Sequence, residues 1–193
     1  MSSAIVTGVL SPVGDAVVKK LAAMHFNVTG IEFTEHAERR GPVAEAVRKA
    51  VEEMGTPSVL VTCPSLHDSA PFGEMPPDRW QRLLNAHLGA TTNACAAVVP
   101  LMVAAGGGTV ITTSSWLAYA GVAGESYQAA ATGSVLAFTK SFALEVARHG
   151  VRVNCIAVGD VPPSDVAETV RFLVEDGDFF VGQVLVASGG KVV

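Results

Sequence analysis

A turn near the start of the chain has the composition of a phosphate-binding loop. Thr7, Gly8 and Gly14 stand between an apolar run and the first residues of a helical pattern. Glycines in such a turn let the backbone approach a pyrophosphate, and the N-terminus of the following helix favours negative charge. Pro12, in the middle of the turn, removes one N–H donor and fixes φ. The turn predicts either a degenerate dinucleotide site or a strand-to-helix turn kept for packing, with Gly14 tight against the sheet.

Hydroxyl groups in the second half of the chain are the candidates for proton transfer. Ser114 and Ser115 end an apolar run, and Tyr127 begins the next helical pattern. A tyrosine acts as a base near neutral pH only where a nearby cation lowers its pKa, which is otherwise about 10. The residue four positions further along the same helix face is Ala131. Lys140 lies about 20 Å along the helix axis from Tyr127, so no cation is predicted beside it.

The other reactive side chains show no metal-ligand spacing. The three cysteines are scattered without a Cys-x-x-Cys pair, which predicts reduced, packed thiols: Cys63, Cys95 and Cys155. Four histidines are equally isolated and are assigned to the surface or to packing: His25, His36, His67 and His149. We therefore expect no metal. The formal charge of −5, with no cluster of Lys and Arg, excludes a nucleic-acid partner.

The composition also limits the cellular context. Hydrophobic residues make up 49% of the chain and charged ones 16%, which predicts a buried parallel sheet, a large subunit interface or both. Every apolar run is interrupted before the roughly 20 residues that span a bilayer. The N-terminus, MSSAIVTGVL, lacks the basic segment of a signal peptide. We expect a cytoplasmic protein without a membrane partner.

Strand-like and helical patterns alternate along the whole chain. Apolar runs predict strands at 3–9, 26–33, 58–63, 109–115, 151–158 and 182–188. Helical periodicity and stop signals predict helices at 15–24, 43–54, 77–102, 126–149 and 164–176. This alternation is typical of a parallel sheet covered on both faces. The sequence predicts one α/β domain over residues 1–193.

In this order, five segments resemble the short-chain dehydrogenase/reductase family. They are TGVLSPVG (7–14), TVITTSSW (109–116), Tyr127 on the next helix, HGVRVNCIAVG (149–159) and GQVLVASGG (182–190). The most specific resemblance is that of the longer stretch SFALEVARHGVRVNCIAVGDV (141–161), which includes the fourth segment. The resemblance implies a single-domain, Rossmann-like, doubly wound parallel sheet. It also implies that the sheet is shortened by one strand–helix unit, because only Thr34 to Pro42 separate the second strand from the next helix. Gly159 to Pro163 lead directly into the last helix, where the family has its substrate lid.

The resemblance assigns a cofactor side to the N-terminal half. Thr7, Gly8 and Gly14 match the family's binding turn, although Pro12 stands at its central glycine. Glu32, at the end of the second strand, implies NAD rather than NADP if a dinucleotide binds; the alternative is an ordinary exposed carboxylate. Thr62 to Ser65 replace the family's Asn-Asn-Ala-Gly turn. We therefore expect no cofactor, or NAD if any.

The resemblance also assigns catalytic positions. The family uses a serine, a tyrosine, a lysine four residues after the tyrosine, and an upstream asparagine. Ser115 matches the serine and Tyr127 the tyrosine; Ser114 is the alternative serine, since the loop to Tyr127 looks one residue short. Ala131 stands at the lysine position and His87 at the asparagine position.

Two functions follow from the resemblance. The first is a non-catalytic subunit that assembles with a full-length active relative through the two long helices, 78–102 and 126–149, and the last strand, 182–193. The family commonly forms dimers and tetramers. The arrangement would resemble the heteromeric dehydrogenase of benzylsuccinate β-oxidation in anaerobic toluene degradation, whose active partner handles a 3-hydroxyacyl-CoA-type substrate. The second is a minimal NAD-dependent oxidoreductase that uses Ser115 and Tyr127 on a carbonyl or an alcohol.

Overall fold

A six-stranded parallel sheet forms the centre of the fold. The computed structural model describes residues 2–32 and 39–190. Its strands are β1 Ser3–Thr7, β2 Asn27–Ile31, β3 Val59–Thr62, β4 Gly108–Ser115, β5 Val151–Val158 and β6 Val184–Ala187. They are ordered β2-β1-β3-β4-β5-β6. The chain moves outward from β1 to β2 and then crosses back to β3, so a crevice forms at the carboxyl ends of β1 and β3.

Helices cover both faces of the sheet. They are α1 Pro12–Ala23, α2 Arg40–Met54, α3 Pro77–Leu84, α4 Ala90–Ala104, α5 Leu117–Ala120, α6 Ser126–Val146 and α7 Pro163–Glu175. One apolar core lies under α1 and α7, and the other lies under α2, α4 and α6. The predicted doubly wound α/β architecture is confirmed. Among the described residues no strand lies beyond β2, as the shortened sheet requires.

Three local features differ from the expectations. The first strand ends at Thr7 because Gly8, with φ 74°, begins the turn. Helix α1 begins at Pro12 rather than Asp15, since a proline with its fixed φ fits the first turn of a helix and Ser11 caps it. Helix α5 was not expected. Three predicted features lie outside the described residues. They are the end of the second strand at Phe33, the isolated His36, and residues 191–193 of the predicted assembly segment.

The first long predicted helix is interrupted by a π-helical turn. Residues Asn85–Gly89 form that turn between α3 and α4. By length and composition alone the helical stretch Pro77–Ala104 is long and apolar enough to cross a membrane. Half of its most apolar window is buried, however, and α4 packs against α2, β3 and β4. The apolar composition of α4 is therefore that of a helix in the protein core.

The connection from β5 to the last helix is short. Residues 159–162 join β5 to α7, and the amide of Asp165 donates to the carbonyl of Pro162 at the helix start. Gly159 packs against the backbone of Ser188, where a Cβ would lie 2.6 Å from the Ser188 Cα. No segment at this point folds over the crevice, which leaves its outer wall to the residues that follow β3.

Candidate functional site

A cleft of about 270 Å³ lies at the carboxyl ends of β1, β3 and β4. The turn before α1 forms one wall and the segment after β3 forms the second. The third wall combines the end of β4 with the first turns of α6, and His87 of the π-helical turn completes it. This is the position in which doubly wound folds bind ligands. The N-terminal turn, through Ser11, Pro12 and Val13, and the end of β4, through Ser114 and Ser115, therefore border one space.

Packing alone requires both glycines of the N-terminal turn. A Cβ on Gly8 would lie 2.1 Å from the carbonyl oxygen of Cys63, and Gly8 has φ +74°. A Cβ on Gly14 would lie 2.2 Å from the carbonyl oxygen of Gly8. Thr7 is buried and lies beside Thr62 of β3. The glycines thus wedge the turn against the end of β3, as the packing interpretation of the sequence requires.

Two backbone donors of this turn, the amides of Ser11 and Gly14, have acceptors within it. The amide of Gly14 donates to Ser11 Oγ at 2.9 Å, and Ser11 Oγ donates to the Gly8 carbonyl at 2.7 Å. The amide of Ser11 also donates to Gly8, at 3.2 Å. Pro12 has no N–H to offer. The turn therefore offers a pyrophosphate fewer backbone donors than a turn with a central glycine would.

Glu32 closes the same turn from the end of β2. Its Oε2 accepts a hydrogen bond from the amide of Leu10 at 2.8 Å. A carboxylate that receives a backbone amide forms a comparatively strong, charge-assisted bond. Glu32 is exposed, as the alternative interpretation expected, and one of its carboxylate oxygens binds the backbone of the turn. It is a structural group that holds the turn in place.

The two candidate serines at the end of β4 have different environments. Ser114 is buried, and its Oγ donates to the carbonyl of Thr132 in α6 at 2.8 Å. Ser115 Oγ accepts from the amide of Leu117 at 3.2 Å. Both line the cleft, but only Ser115 keeps a hydroxyl proton that no described acceptor takes. This difference favours Ser115 as the serine that a ligand would meet.

Tyr127 does not line the cleft. Its hydroxyl accepts from the amide of Gly73 at 3.4 Å. Its ring lies 6.2 Å from that of Phe72, in a stacked arrangement, and 5.6 Å from that of Trp80. Consecutive helical residues point about 100° apart, so the next residue, Gln128, faces the cleft instead. The structure therefore corrects the expected placement of Tyr127 in the site.

Gln128 and Thr132 occupy the positions that face the cleft from α6. They are four residues apart, the spacing that the family uses for its tyrosine and lysine, and both line the cleft. The loop from Ser115 to Tyr127 looked one residue short of the family's spacing, and the spacing from Ser115 to Gln128 is one residue longer. Gln128 therefore stands at the position of the family's tyrosine. Ala131 is fully buried and lies in the packing of the helix. Thr132, rather than the expected Ala131, is thus the residue four positions after the one that faces the cleft at the start of α6.

Neither cleft-facing residue of α6 can move a proton at neutral pH. Thr132 Oγ1 donates to the carbonyl of Gln128 at 2.8 Å. Gln128 Nε2 donates to the carbonyl of Leu66 at 3.3 Å, and its Oε1 accepts from the amide of Asp68 at 3.2 Å. An amide and a hydroxyl of this kind do not titrate near pH 7. Gln128 binds backbone groups of the wall opposite, and Thr132 binds a carbonyl of its own helix.

His87 reaches the cleft, as its match to the family's asparagine implies. Its Nε2 lies 2.7 Å from the carbonyl oxygen of Leu66, which can only accept, so Nε2 carries the proton. The 3.3 Å separation between His87 Nε2 and Gln128 Nε2 is then a contact between two donors. Nδ1 is buried and has no partner among the described residues. Burial lowers the pKa of His87, and the hydrogen bond to the Leu66 carbonyl only partly opposes this effect. The lowered pKa favours the neutral form of the ring.

The cleft is therefore a binding surface of neutral hydroxyl and amide groups. Within residues 2–32 and 39–190, no group of His, Cys, Asp and Glu side chains could hold a metal ion. All three cysteines are buried, and burial raises the pKa of each thiol to about 12. The sequence reasoning missed Gln128 and Thr132. The signal that could have found them is the loop that looked one residue short.

Comparisons with known proteins agree with the architecture. A family model described as short chain dehydrogenase matches residues 33–172. The chain is 32% identical over 209 residues to the short-chain reductase protein NovJ of Streptomyces niveus, covering 97% of this chain and 79% of that protein. It is 29% identical over 175 residues to the 3-oxoacyl-[acyl-carrier-protein] reductase FabG of Chlamydia trachomatis, covering 77% and 71%. It is 26% identical over 212 residues to the (2S)-[(R)-hydroxy(phenyl)methyl]succinyl-CoA dehydrogenase subunit BbsD of Thauera aromatica, covering 91% and 85%.

Proposed function

The chain belongs to the short-chain dehydrogenase family, and from that premise we propose that it is a non-catalytic subunit of an oxidoreductase of this type. The observation that carries the proposal is the pair of residues facing the cleft from α6. Gln128 and Thr132 hold backbone groups and cannot exchange a proton with a substrate. General acid–base catalysis contributes about 10²–10⁴-fold to a reaction rate, and this cleft does not supply it.

The cofactor side supports the same proposal. Three amides of the turn at residues 8–14 already have acceptors: Leu10 donates to Glu32, Ser11 to the Gly8 carbonyl and Gly14 to Ser11. A dinucleotide would have to break these bonds before it gained its own. Proton transfer and cofactor binding are thus weakened independently. Loss of both leaves an active relative to perform the hydride transfer.

The assembly surfaces are expected on α4, α6 and β6. Helix α4 contains no charged residue, and α6 contains only Lys140 and Glu145. Leu144 of α6 is 77% exposed, and Val186 of the edge strand β6 is also exposed. Charge-poor helices with exposed apolar residues are typical of subunit interfaces. We propose that a full-length active relative packs on these elements in a cytoplasmic hetero-oligomer of two or four chains.

The nature of the partner's substrate is suggested by one relative. BbsD is, by its name, a subunit of a dehydrogenase that acts on a succinyl-CoA thioester. We propose that the partner of this chain acts on a CoA thioester of the 3-hydroxyacyl type. NovJ and FabG are named as reductases, which favours the second candidate, a minimal NAD-dependent oxidoreductase that relies on Ser115.

Calorimetric titration of the isolated chain with NADH separates the two candidates. A non-catalytic subunit gives no heat of binding at micromolar concentrations, and it co-purifies with an active family member when the two are produced together. The control is that active member by itself, which must show heat of NADH binding in the same calorimetric titration. Micromolar affinity for NADH, or a reductase activity that Ser115→Ala abolishes, would contradict the proposal.

The double substitution Gln128→Tyr with Thr132→Lys sharpens this test. It places the family's proton-transfer pair at the positions that face the cleft. Because the N-terminal turn remains closed, we expect no reductase activity in the isolated double variant. The wild type and Tyr127→Phe serve as controls and should both be inactive. Activity found only in the double variant would show that the N-terminal turn still binds the cofactor and that only the residues of α6 had lost their catalytic function.

A further inference from the structure

The segment that follows β3 forms one wall of the cleft. Residues 65–73, which we name the strap, run from the end of β3 towards α3 without regular secondary structure. Leu66 and His67 of the strap line the cleft. The side chain of Gln128 lies against its backbone and is only 4% exposed. The strap is thus held by buried polar groups.

Gln128 binds the strap at two points. Its Nε2 donates to the carbonyl of Leu66 at 3.3 Å, and its Oε1 accepts from the amide of Asp68 at 3.2 Å. A side-chain amide that pairs in both directions with a backbone acts like a short piece of a neighbouring strand. Its removal would leave the Asp68 amide of the strap without its acceptor and the Leu66 carbonyl with one donor fewer.

The Leu66 carbonyl receives a second donor from His87. The distance from His87 Nε2 to this oxygen is 2.7 Å, shorter than that from Gln128. One carbonyl of the strap thus uses the two side-chain N–H groups that the inner end of the cleft could offer to a ligand oxygen. A molecule that needed these donors for its own carbonyl would have to displace Leu66.

Further contacts hold the outer part of the strap. Asp68 accepts two hydrogen bonds from Arg79 of α3, one of them from Nε at 3.0 Å. The Arg79 guanidinium holds the pKa of the Asp68 carboxyl below its usual range, so the pair is charged at neutral pH. Gly73 donates its amide to the Tyr127 hydroxyl at 3.4 Å. The outer anchors lie on α3 and α6, the same side as Gln128.

We propose that the strap is a latch in which the Leu66 carbonyl acts as an internal ligand of His87 and Gln128, and that release of the strap opens the cleft. The latch consists only of contacts within this chain, and they exist whether or not the chain has a catalytic partner. The proposal therefore stands independently of the proposed function. In the closed state the cleft is denied to molecules that need the same two donors.

A buried thiol at the root of the strap reports on its opening. Cys63 lies at the end of β3, lines the cleft and is 1% exposed. Burial raises its pKa to about 12, so a thiol reagent reacts only when this part of the molecule opens. Cys95 in α4 and Cys155 in β5 are equally buried but lie away from the strap. They serve as internal controls for global unfolding.

The test is the rate at which N-ethylmaleimide labels each cysteine, followed by peptide mass spectrometry. In Gln128→Leu we expect Cys63 to react roughly tenfold faster than in the wild type, because the latch loses both of its bonds. Cys95 and Cys155 keep their rates. The matched control is Gln183→Leu, which replaces an exposed glutamine beside β6 and leaves all three rates unchanged.

An unchanged rate at Cys63 in a folded Gln128→Leu variant overturns the proposal. If that variant accelerates all three cysteines alike, Arg79→Gln decides, because it removes an outer anchor whose side chain is 42% exposed and leaves the cleft intact. Selective labelling of Cys63 in Arg79→Gln supports the latch. Acceleration without selectivity, or none, in Arg79→Gln rejects it.

Discussion

The two walls of the cleft depart from the family's chemistry in different ways. On the N-terminal wall Gly8 and Gly14 match the family's turn, yet several amides of the turn are already bonded within it or to Glu32. On the α6 wall the helix is in place, but the side chains facing the cleft are Gln128 and Thr132. The N-terminal wall thus keeps the family's glycines, but fewer of its backbone N–H groups are available to a ligand. The α6 wall keeps the family's helix, but it lacks the tyrosine and lysine side chains.

This difference shows how far a motif can be trusted. The glycines of the N-terminal turn are explained by the 2.1 Å and 2.2 Å that separate a Cβ from neighbouring carbonyl oxygens. They would be required with or without a cofactor. Gln128 also has a structural role, because its amide binds backbone groups of residues 66 and 68, but at this position the type of side chain decides in addition whether a proton can move. A glycine match is thus weaker evidence for function than the identity of one cleft-facing side chain.

The largest effect is expected for Gly8→Ala, which tests the packing role of the N-terminal wall. The new Cβ would meet the Cys63 carbonyl in a conformation with φ +74°, so the free energy of unfolding should fall by about 3 kcal/mol or more. Denaturant titration measures it. Gly124→Ala is the control, with φ +84° and no atom within 4 Å; strain alone costs about 1–2 kcal/mol there. Equal losses would remove the argument from close contact.

Gln128→Leu tests the α6 wall. The substitution leaves the Leu66 carbonyl with one donor fewer and the Asp68 amide without its acceptor, so the free energy of unfolding should fall by about 1–3 kcal/mol. The same denaturant titration applies, with Gln183→Leu as the control. A loss below that of the control would mean that the amide of Gln128 contributes nothing to the fold.

The pH dependence of stability tests the neutral state of His87. Burial lowers its pKa, so below the ordinary value of about 6.5 the unfolded chain binds more protons than the folded one. The stability that comes from neutral His87 is present above pH 6.5 and decreases as pH falls through the lowered pKa. Unfolding measured at pH 7.5 and 5.5 should show this decrease in the wild type and in His149→Asn. The decrease should be smaller in His87→Asn, and an equal decrease in all three would contradict the assignment.

The smallest effect is expected for Tyr127→Phe. Its ring contacts with Phe72 and Trp80 remain, and only the 3.4 Å bond from Gly73 is lost. The free energy of unfolding should change by about 0.5 kcal/mol or less, and any reductase activity of the isolated chain should not change. Loss of activity in Tyr127→Phe would place the tyrosine in the cleft, against the geometry.

Much of the fold could be predicted because its signals are local. The runs that became β4 and β5 are rich in apolar and β-branched residues, and β5 spans Val151–Val158 as predicted. Helix starts were less accurate, as with Pro12, because a proline in a glycine-rich turn fits either a loop or a first helical turn. Helix α5 carries no periodicity of its own in a single turn, so no pattern could have revealed it.

The sequence by itself determined the strand–helix order, the family, and the absence of the family's lysine from this part of α6. Only the tertiary structure decided which residues of α6 enter the cleft. A shift of one residue turns a helical side chain by about 100°, and periodicity in a helix as uniformly apolar as α6 does not mark that angle. The packing of α6 against β4 and the strap sets it, and so Tyr127 lies outside the cleft and Gln128 within it.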